Sequence, residues 1–561
     1  MTGRMLATSN QTPPRGLPIS RANDDAAADR RAEDADLVET LEAVASDSQS
    51  PVAQVASAGI WGLSARVFML LLNLLTIPFT IRLLGPAGYG LWSLFQSSGT
   101  WAQLADVGMG TASTKFGSER YAHGDDAGES AVIWTALCIN CTVACGLGLL
   151  AALEAPAIIG ALAHVRGPLA GPDITALRLV CGLFIAQIVA GVVNTPQIVR
   201  LRWRPYTLVT VTASVIASVG APLALALFSG GVQTVALLFM TGSVFAAVGN
   251  FVLAVRMQPA LKRPRLSRDL LRKLLGFGGA LTLSGLAAIP LTTAGRVFLA
   301  YDHSTVVVAY YGVAATLGLT LYVLPEQLAA PLLPGLTRLE AEGRHAEHQE
   351  MYSKALGGLF MFLAPAAVML TFLAQPFLSL WAGKAYGVHS TGPFLIIVVG
   401  ACVNCLAWLP VSYLLSSGRT KFIAATKLSL VLPFLVAVYF LSQWLGAVGA
   451  ALAWSGMLVA ESIAYFTVVK RLAPQLPVSP LSRRPLRSAL APVVLAGAAA
   501  ATLPLAHSLL ARLGVGAVLG AVYALGVWKL VLTSGERDGL ASLAREILKR
   551  GRGKPSLAVG S

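Results

Sequence analysis

Apolar runs long enough to cross a bilayer recur about fourteen times between Ala58 and Thr533, each closed by a short polar gap. They fall at roughly 58–80, 89–111, 131–155, 175–198, 206–228, 232–255, 274–299, 305–330, 356–376, 392–416, 422–443, 447–469, 489–510 and 513–532. A helix needs about 20 apolar residues to traverse the hydrocarbon. Lipid offers the backbone no hydrogen-bond partner, so only helices or a closed barrel can span it. The runs are uninterrupted, which excludes a barrel and predicts an all-α polytopic membrane protein with about 14 transmembrane helices.

The gaps carry the charge, and they carry it unevenly. With the amino terminus inside, the inner gaps hold 22 Lys and Arg, including Arg200, Arg202 and Arg204 after the fourth run and seven between Arg256 and Lys273. The outer gaps and their edges hold five: Arg82, Arg166, Arg178, Lys384 and Arg512. This is the positive-inside pattern, and it predicts that both termini are cytoplasmic. The net charge of +15 is therefore mostly an orientation signal and does not argue for nucleic acid. At 55% hydrophobic and 12% charged, most of the chain must face lipid or other helices. All six cysteines (Cys138, Cys141, Cys145, Cys181, Cys402 and Cys405) sit inside the runs, with no His, Asp or Glu at ligand spacing. They read as packing residues, and no metal or other cofactor is implied.

Residues 1–55 are polar, alanine-rich and charged, with no apolar core of a signal peptide, and predict a disordered cytoplasmic extension. Beyond them lies an internal duplication. Tyr89-Gly90-Leu91 returns 222 residues later as Tyr311-Gly312-Val313. Arg204, Gly230-Gly231-Val232 and Arg256 return 215 residues later as Arg419, Gly446-Ala447-Val448 and Arg471. Two six-span lobes follow, 56–256 and 274–471, joined by a basic cytoplasmic linker at 257–273. A second basic loop at 472–488 leads to two extra spans in 489–533, and a basic tail at 534–561 either lies on the anionic inner leaflet or is simply solvated. Six crossings return the chain to its starting side, so the repeats are parallel, and in transporters the pathway lies at such a repeat interface.

Arg82-Leu-Leu-Gly85-Pro86-Ala-Gly88-Tyr89-Gly90 and Asp106-Val-Gly108-Met-Gly110 resemble the polysaccharide export flippases of the multidrug/oligosaccharidyl-lipid/polysaccharide superfamily. Leu380-Trp381-Ala-Gly383, Gly418-Arg419-Thr-Lys421 and Gly446-Ala-Val-Gly449-Ala450-Ala451 resemble that family's second half. The resemblance covers roughly 58–471. It implies two six-helix lobes around a central cavity, as in the superfamily's multidrug exporters. It also implies a flippase that carries an undecaprenyl-pyrophosphate-linked oligosaccharide across the bacterial inner membrane by alternating access, for O-antigen, capsule or exopolysaccharide. A polysaccharide polymerase is a partner such a role suggests. The two added spans resemble those of the related lipid II flippases, where the pair borders a groove for the lipid tail.

An ionisable side chain at mid-bilayer costs about 2.5–3.5 kcal/mol on insertion scales, so one retained there is a functional candidate. Arg66 lies in the middle of the first run and Arg296 in the matching seventh. A guanidinium suits bidentate pairing with a phosphate, so both are candidates for the substrate's pyrophosphate; an interhelical pair, or snorkelling for Arg296, is the alternative. Glu326, beside Pro325, and Glu461 are candidates for gating or ion coupling, with a salt bridge to an inner-loop Arg as the alternative for Glu326. Asn73, Gln96, Gln103, Asn140 and Asn404, with Gln187 and Asn194, either line a cavity or tie helices together.

Rival functions leave different marks. A membrane polymerase or ligase needs catalytic acids on a large loop, yet the longest outer gap, 156–174, holds only Asp173 and His164. No phosphate-cradling glycine loop supports ATP-driven transport. A drug or cation antiporter needs carboxylates within the lobes, where few occur. A lipid II flippase differs in substrate rather than in hydropathy. The expectation is a transporter, not an enzyme.

Overall fold

The computed structural model describes residues 51–97, 108–162, 171–200, 202–228, 230–276, 288–323, 343–417, 419–476, 485–503 and 508–531, with isolated positions 325, 336, 339 and 537. The chain divides into two compact units, Met1–Ile60 and Trp61–Ser561. In the first, the described residues 51–60 are helical.

Helix α1 (Pro51–Ser97) consists of two limbs joined across Gly85, whose φ of 72° suits a residue without a Cβ, and Pro86 opens the second limb. Next, α2 (Met109–Ala122) leads to α3 (Asp126–Leu153), whose first turn is capped by Asp125. The Gly128 N–H donates to Asp125 Oδ1 at 2.8 Å. That hydrogen bond, more than the Arg120 guanidinium, holds the Asp125 carboxyl below the usual carboxylate range. The first half continues through α4 (Ala155–Leu162), α5 (Gly171–Val193), α6 (Thr195–Val199), α7 (Trp203–Phe228) and α8 (Val232–Met257). Here α8 packs on α5 and α7, while α3 packs on α5 and α2.

The second half comprises α9 (Ala288–Asp302), α10 (Thr305–Gly318), α11 (His345–Trp381), α12 (Lys384–His389), α13 (Thr391–Leu406), α14 (Trp408–Ser416), α15 (Thr420–Leu445) and α16 (Ala447–Leu472). There α16 packs on α15 and α13, and α9 on α15. Helices α7, α8, α15 and α16 are each 26 residues, and the turns between the members of each pair carry Gly231 and Gly446. The final helices, α17 (Pro485–Thr502) and α18 (Leu509–Gly526), both pack on α11. Arg512 Nη1 donates to the Phe372 carbonyl at 2.9 Å and the Tyr523 hydroxyl to that of Met361 at 2.9 Å, both on α11.

The described residues are helical apart from turns and caps, and 11 helices are long and apolar enough to cross a membrane, against about fourteen expected. Three differences account for the gap. The first run and the described start of the second, 89–97, share the one kinked helix α1, the middle of the seventh lies outside the described residues, and α17 contributes only a shorter apolar stretch, Ala491–Thr502. Large apolar side chains such as Leu75, Phe79, Leu432 and Trp444 stand out from the bundle. That is the arrangement lipid, not water, accommodates.

The two halves meet through the motif segments. Arg82 Nη2 donates to the Leu380 carbonyl at 3.3 Å, and Trp381 Nε1 to that of Leu74 at 2.6 Å. Close by, the second limb of α1 lies so near α10 that a Cβ on Gly90 would overlap the Thr305 carbonyl, and one on Gly312 would overlap the Ser93 hydroxyl. At the arginine-rich end, Arg200 grips the buried Glu129 with two hydrogen bonds, 2.7 and 2.9 Å. Its guanidinium also lies 4.5 Å over the Tyr121 ring. Nearby, Ser130 donates to the Ala260 carbonyl and Trp134 Nε1 to that of Leu261, each at 3.1 Å. These bonds strap the start of the linker to the first half, and Leu270 and Leu274 continue the attachment by burying against Met109, Ile133 and Val193.

Candidate functional site

A cavity of about 470 Å³ opens within the first half, walled by both limbs of α1 and by α5, α7 and α8, with Thr316 of α10 at its edge. Each wall owes its polarity to helical spacing. Residues four apart share a face, so Tyr206, Thr210, Ser214 and Ser218 form one polar stripe along α7, and Thr76 and Thr80 form another on α1. Most of these hydroxyls are already spent as donors. Thr76 donates to the Leu72 carbonyl (2.9 Å), Thr80 to Thr76 (3.1 Å), Thr210 to Tyr206 (2.9 Å) and Ser214 to Thr210 (3.0 Å). What they leave toward the cavity is lone pairs.

Amides add to this. Asn73, Gln96, Gln187, Asn194 and Asn250 all line the space. Asn194 and Asn250 are buried, yet Oδ1 of each has no hydrogen-bond partner, an arrangement that native interiors rarely leave without a reason. The aromatic part of the wall includes Trp92 and Phe239, with ring centroids 4.8 Å apart. Among the described residues, none that lines the cavity is charged.

Tyr89 lines the cavity and is also within electrostatic reach of Arg296 on α9. The Arg296 guanidinium lies 5.9 Å from the Tyr311 ring, its Nε is buried without an acceptor, and among the described residues it forms no ion pair. Tyr310 extends the aromatic cluster, stacking on His389 at 4.9 Å and meeting Tyr386 edge-on at 5.1 Å. A guanidinium among aromatic faces, with donor capacity unspent, is equipped to receive an anion.

The second half buries a different constellation. Glu461 Oε1 accepts from the Tyr465 hydroxyl at 3.0 Å and lies 3.1 Å from Lys427 Nζ. Asn404 Nδ2 lies 3.1 Å from Glu461 Oε2, and Asn404 Oδ1 accepts from the Tyr322 hydroxyl at 2.8 Å. Glu461 is thus neutralised within the lobe by Lys427.

The structure distributes the residues singled out from sequence across these features. Asn73, Gln96, Gln187 and Asn194 line the cavity; Asn404 and Glu461 belong to the second-half network; Asn140 is buried on α3 away from the cavity. Arg66 is exposed on the first limb of α1 and is not a lining residue. Gln103 and Glu326 lie outside the described residues. Sequence reasoning missed Lys427, Asn250 and the hydroxyl stripes. The four-residue spacing from Tyr206 to Ser218 was the available signal for the largest of these. No group of three or more His, Cys, Asp or Glu able to hold a metal occurs among the described residues.

Comparison with known proteins places the chain. The family described as "Polysaccharide biosynthesis protein" matches residues 81–390, more than half of the chain. A Shigella flexneri protein described as a candidate O-antigen transporter is 21% identical over 411 residues, covering 72% of this chain and 95% of that protein. Among solved structures, the lipid II flippase MurJ in an inward closed conformation aligns with a TM-score of 0.66 at 12% identity, covering 84% of this chain and 100% of that one. An inward-facing multidrug resistance transporter of the MATE family, in the MOP superfamily, aligns with a TM-score of 0.64 at 15% identity, covering 72% and 94%. These likenesses establish a fold shared with the MOP superfamily.

Proposed function

We infer that this chain, which belongs to the polysaccharide biosynthesis protein family, is a flippase that carries a polyprenyl-pyrophosphate-linked oligosaccharide repeat unit across the bacterial inner membrane for surface polysaccharide. The observation that carries this reading is a cavity lined by hydroxyls and amides, with no charged side chain among its described lining residues, together with the buried Arg296, which lies within electrostatic reach of the lining Tyr89 and has no acid partner among the described residues. A lipid-linked sugar presents hydroxyls and a pyrophosphate; the cavity and Arg296 supply matching chemistry for each. The halves 56–256 and 274–471 act as lobes that open alternately to either side. Arg296, rather than Arg66, is the residue assigned to the pyrophosphate. A polymerase receives the flipped unit on the outer face. An antiporter of cationic drugs is the weaker reading because no carboxylate lines the cavity among the described residues.

Deletion of the gene in its source bacterium tests the assignment. The expected result is accumulation of the lipid-linked oligosaccharide facing the cytoplasm and loss of surface polymer, with growth retained. Complementation with Arg296→Gln is expected to restore export by no more than about a tenth of wild type, the loss of one charge-assisted contact to phosphate. Lysis with accumulated lipid II, or normal lipids with new drug sensitivity, overturns the reading.

A further inference from the structure

We propose that the basic linker after α8, moored on the first half, is a docking surface for the headgroups of anionic phospholipids in the inner leaflet. The surface lies outside the cavity, and the proposal holds whichever substrate is carried. It rests on the inner placement of the linker that the distribution of Lys and Arg predicts.

The linker is fixed rather than solvated. Besides the bonds from Ser130 and Trp134, Gln258 Nε2 donates to the Asp126 carbonyl at 3.1 Å and the Ser267 N–H to Thr135 Oγ1 at 3.3 Å, both on α3. Leu261, Leu270 and Leu274 are buried in the first half's core. The short helix at 268–276 then sorts its side chains into rows. At about 100° per residue, Leu270 and Leu274 face the protein, Leu271 and Leu275 form the next row round, and Arg268 and Arg272 the row after that. Leu271 and Leu275 are 39% and 42% exposed, and Leu266, just before the helix, is 67% exposed. An apolar row beside a basic one suits a helix lying in the plane of a membrane interface, with leucines among acyl chains and cations among phosphates. The level agrees. Helix α7 begins with Trp203, its antiparallel neighbour α8 ends at Met257, and Trp134 bonds the linker backbone, indoles being concentrated where headgroups lie.

Charge selects the lipid. From Arg256 to Lys273 the chain carries seven Lys and Arg against one acid, Asp269, and all eight side chains are exposed. Arg265 also lies within electrostatic reach of Asp125, which Arg120 already engages. The remaining surplus is strung along 18 residues rather than gathered on one point. Such a strip matches a layer of separate phosphates, not a single pyrophosphate, and it favours anionic over zwitterionic headgroups.

The test is native mass spectrometry of the full chain in detergent micelles supplied with equimolar phosphatidylglycerol and phosphatidylcholine. Wild type is expected to retain phosphatidylglycerol over phosphatidylcholine by about tenfold. The triple variant Arg268→Gln, Arg272→Gln and Lys273→Gln is expected to cut that preference at least about threefold. A control triple, Lys421→Gln, Lys470→Gln and Arg471→Gln, removes the same charge from exposed positions of the second half and is expected to change it by less than about 1.5-fold. Should the first triple fail to fold, Lys262→Gln with Arg263→Gln, outside the helix, is expected to cut the preference about twofold. No preference in wild type, or equal losses in the two triples, overturns the inference. So does displacement of the retained lipid by millimolar inorganic phosphate, which would make this an ion site. A strap variant that keeps phosphatidylglycerol but loses short-chain polyprenyl pyrophosphate would assign the surface to substrate capture and overturn it as well.

Discussion

Glu129 has no solvent-exposed side-chain surface, and Arg200, its bidentate partner, keeps 13%. A charge so placed is tolerable only while paired. Removing one member of a buried pair costs about 3–5 kcal/mol because the other is left uncompensated, so Arg200→Ala is expected to destabilise the protein by about 3 kcal/mol, the lower end reflecting the residual exposure. Thermal unfolding of the purified protein in detergent measures this, and an unchanged melting temperature would show that the pair is dispensable. Glu461 obeys the same logic with Lys427, so these two buried carboxylates are each matched by a cation of their own half. Arg296 differs in having a tyrosine neighbour and, among the described residues, no such match. From sequence alone Glu461 and Arg296 look equally unusual. Only three-dimensional neighbours separate a neutralised charge from one with capacity to spare.

The helices themselves were largely legible, because continuous apolar length is a strong signal when lipid is the solvent. The continuous helix through Gly85 and the packing of α17 and α18 on α11 were not legible, because apolar length marks a span but neither where two spans join nor which neighbour a helix meets. The cavity was legible only in part. Amides inside apolar runs attract notice, whereas serine and threonine do not, since both can satisfy themselves on the preceding turn. The close approach of α1 to α10 depends on glycines whose role no composition reveals. At Gly90 the clashing atom is a backbone carbonyl, which has no rotamer to yield. Gly90→Ala is therefore expected to lower stability by about 1–3 kcal/mol, the usual range for overpacking. The check is a melting curve beside that of Gly62→Ala, where a Cβ meets nothing within 4 Å. Equal curves would mean that the two elements separate freely.

For the molecule as a whole, the distribution of Lys and Arg makes a claim about sidedness that is open to direct trial. With both termini cytoplasmic, a carboxy-terminal green fluorescent protein fusion is expected to fluoresce, and a carboxy-terminal alkaline phosphatase fusion to be inactive. The reverse pair of results would invert every inner and outer assignment. Motif offsets suggested two six-span halves, but they carried no information on which half holds a cavity, because that depends on the polar side chains and not on the repeated motifs. Among the described features, the first half carries a hydroxyl-lined cavity and the second a closed ion-paired network. The hydroxyls of the cavity wall have one further consequence. Because Thr76, Thr80, Thr210 and Ser214 each donate to a carbonyl on their own helix, these four do little to tie one helix to the next, whereas Ser218 bridges α7 to α1 through Asn73 Oδ1 at 3.3 Å. Exchanges among serine, threonine and alanine at those four positions would alter the chemistry of the cavity wall while leaving the helix packing intact, so the lining is free to vary on an unchanged scaffold.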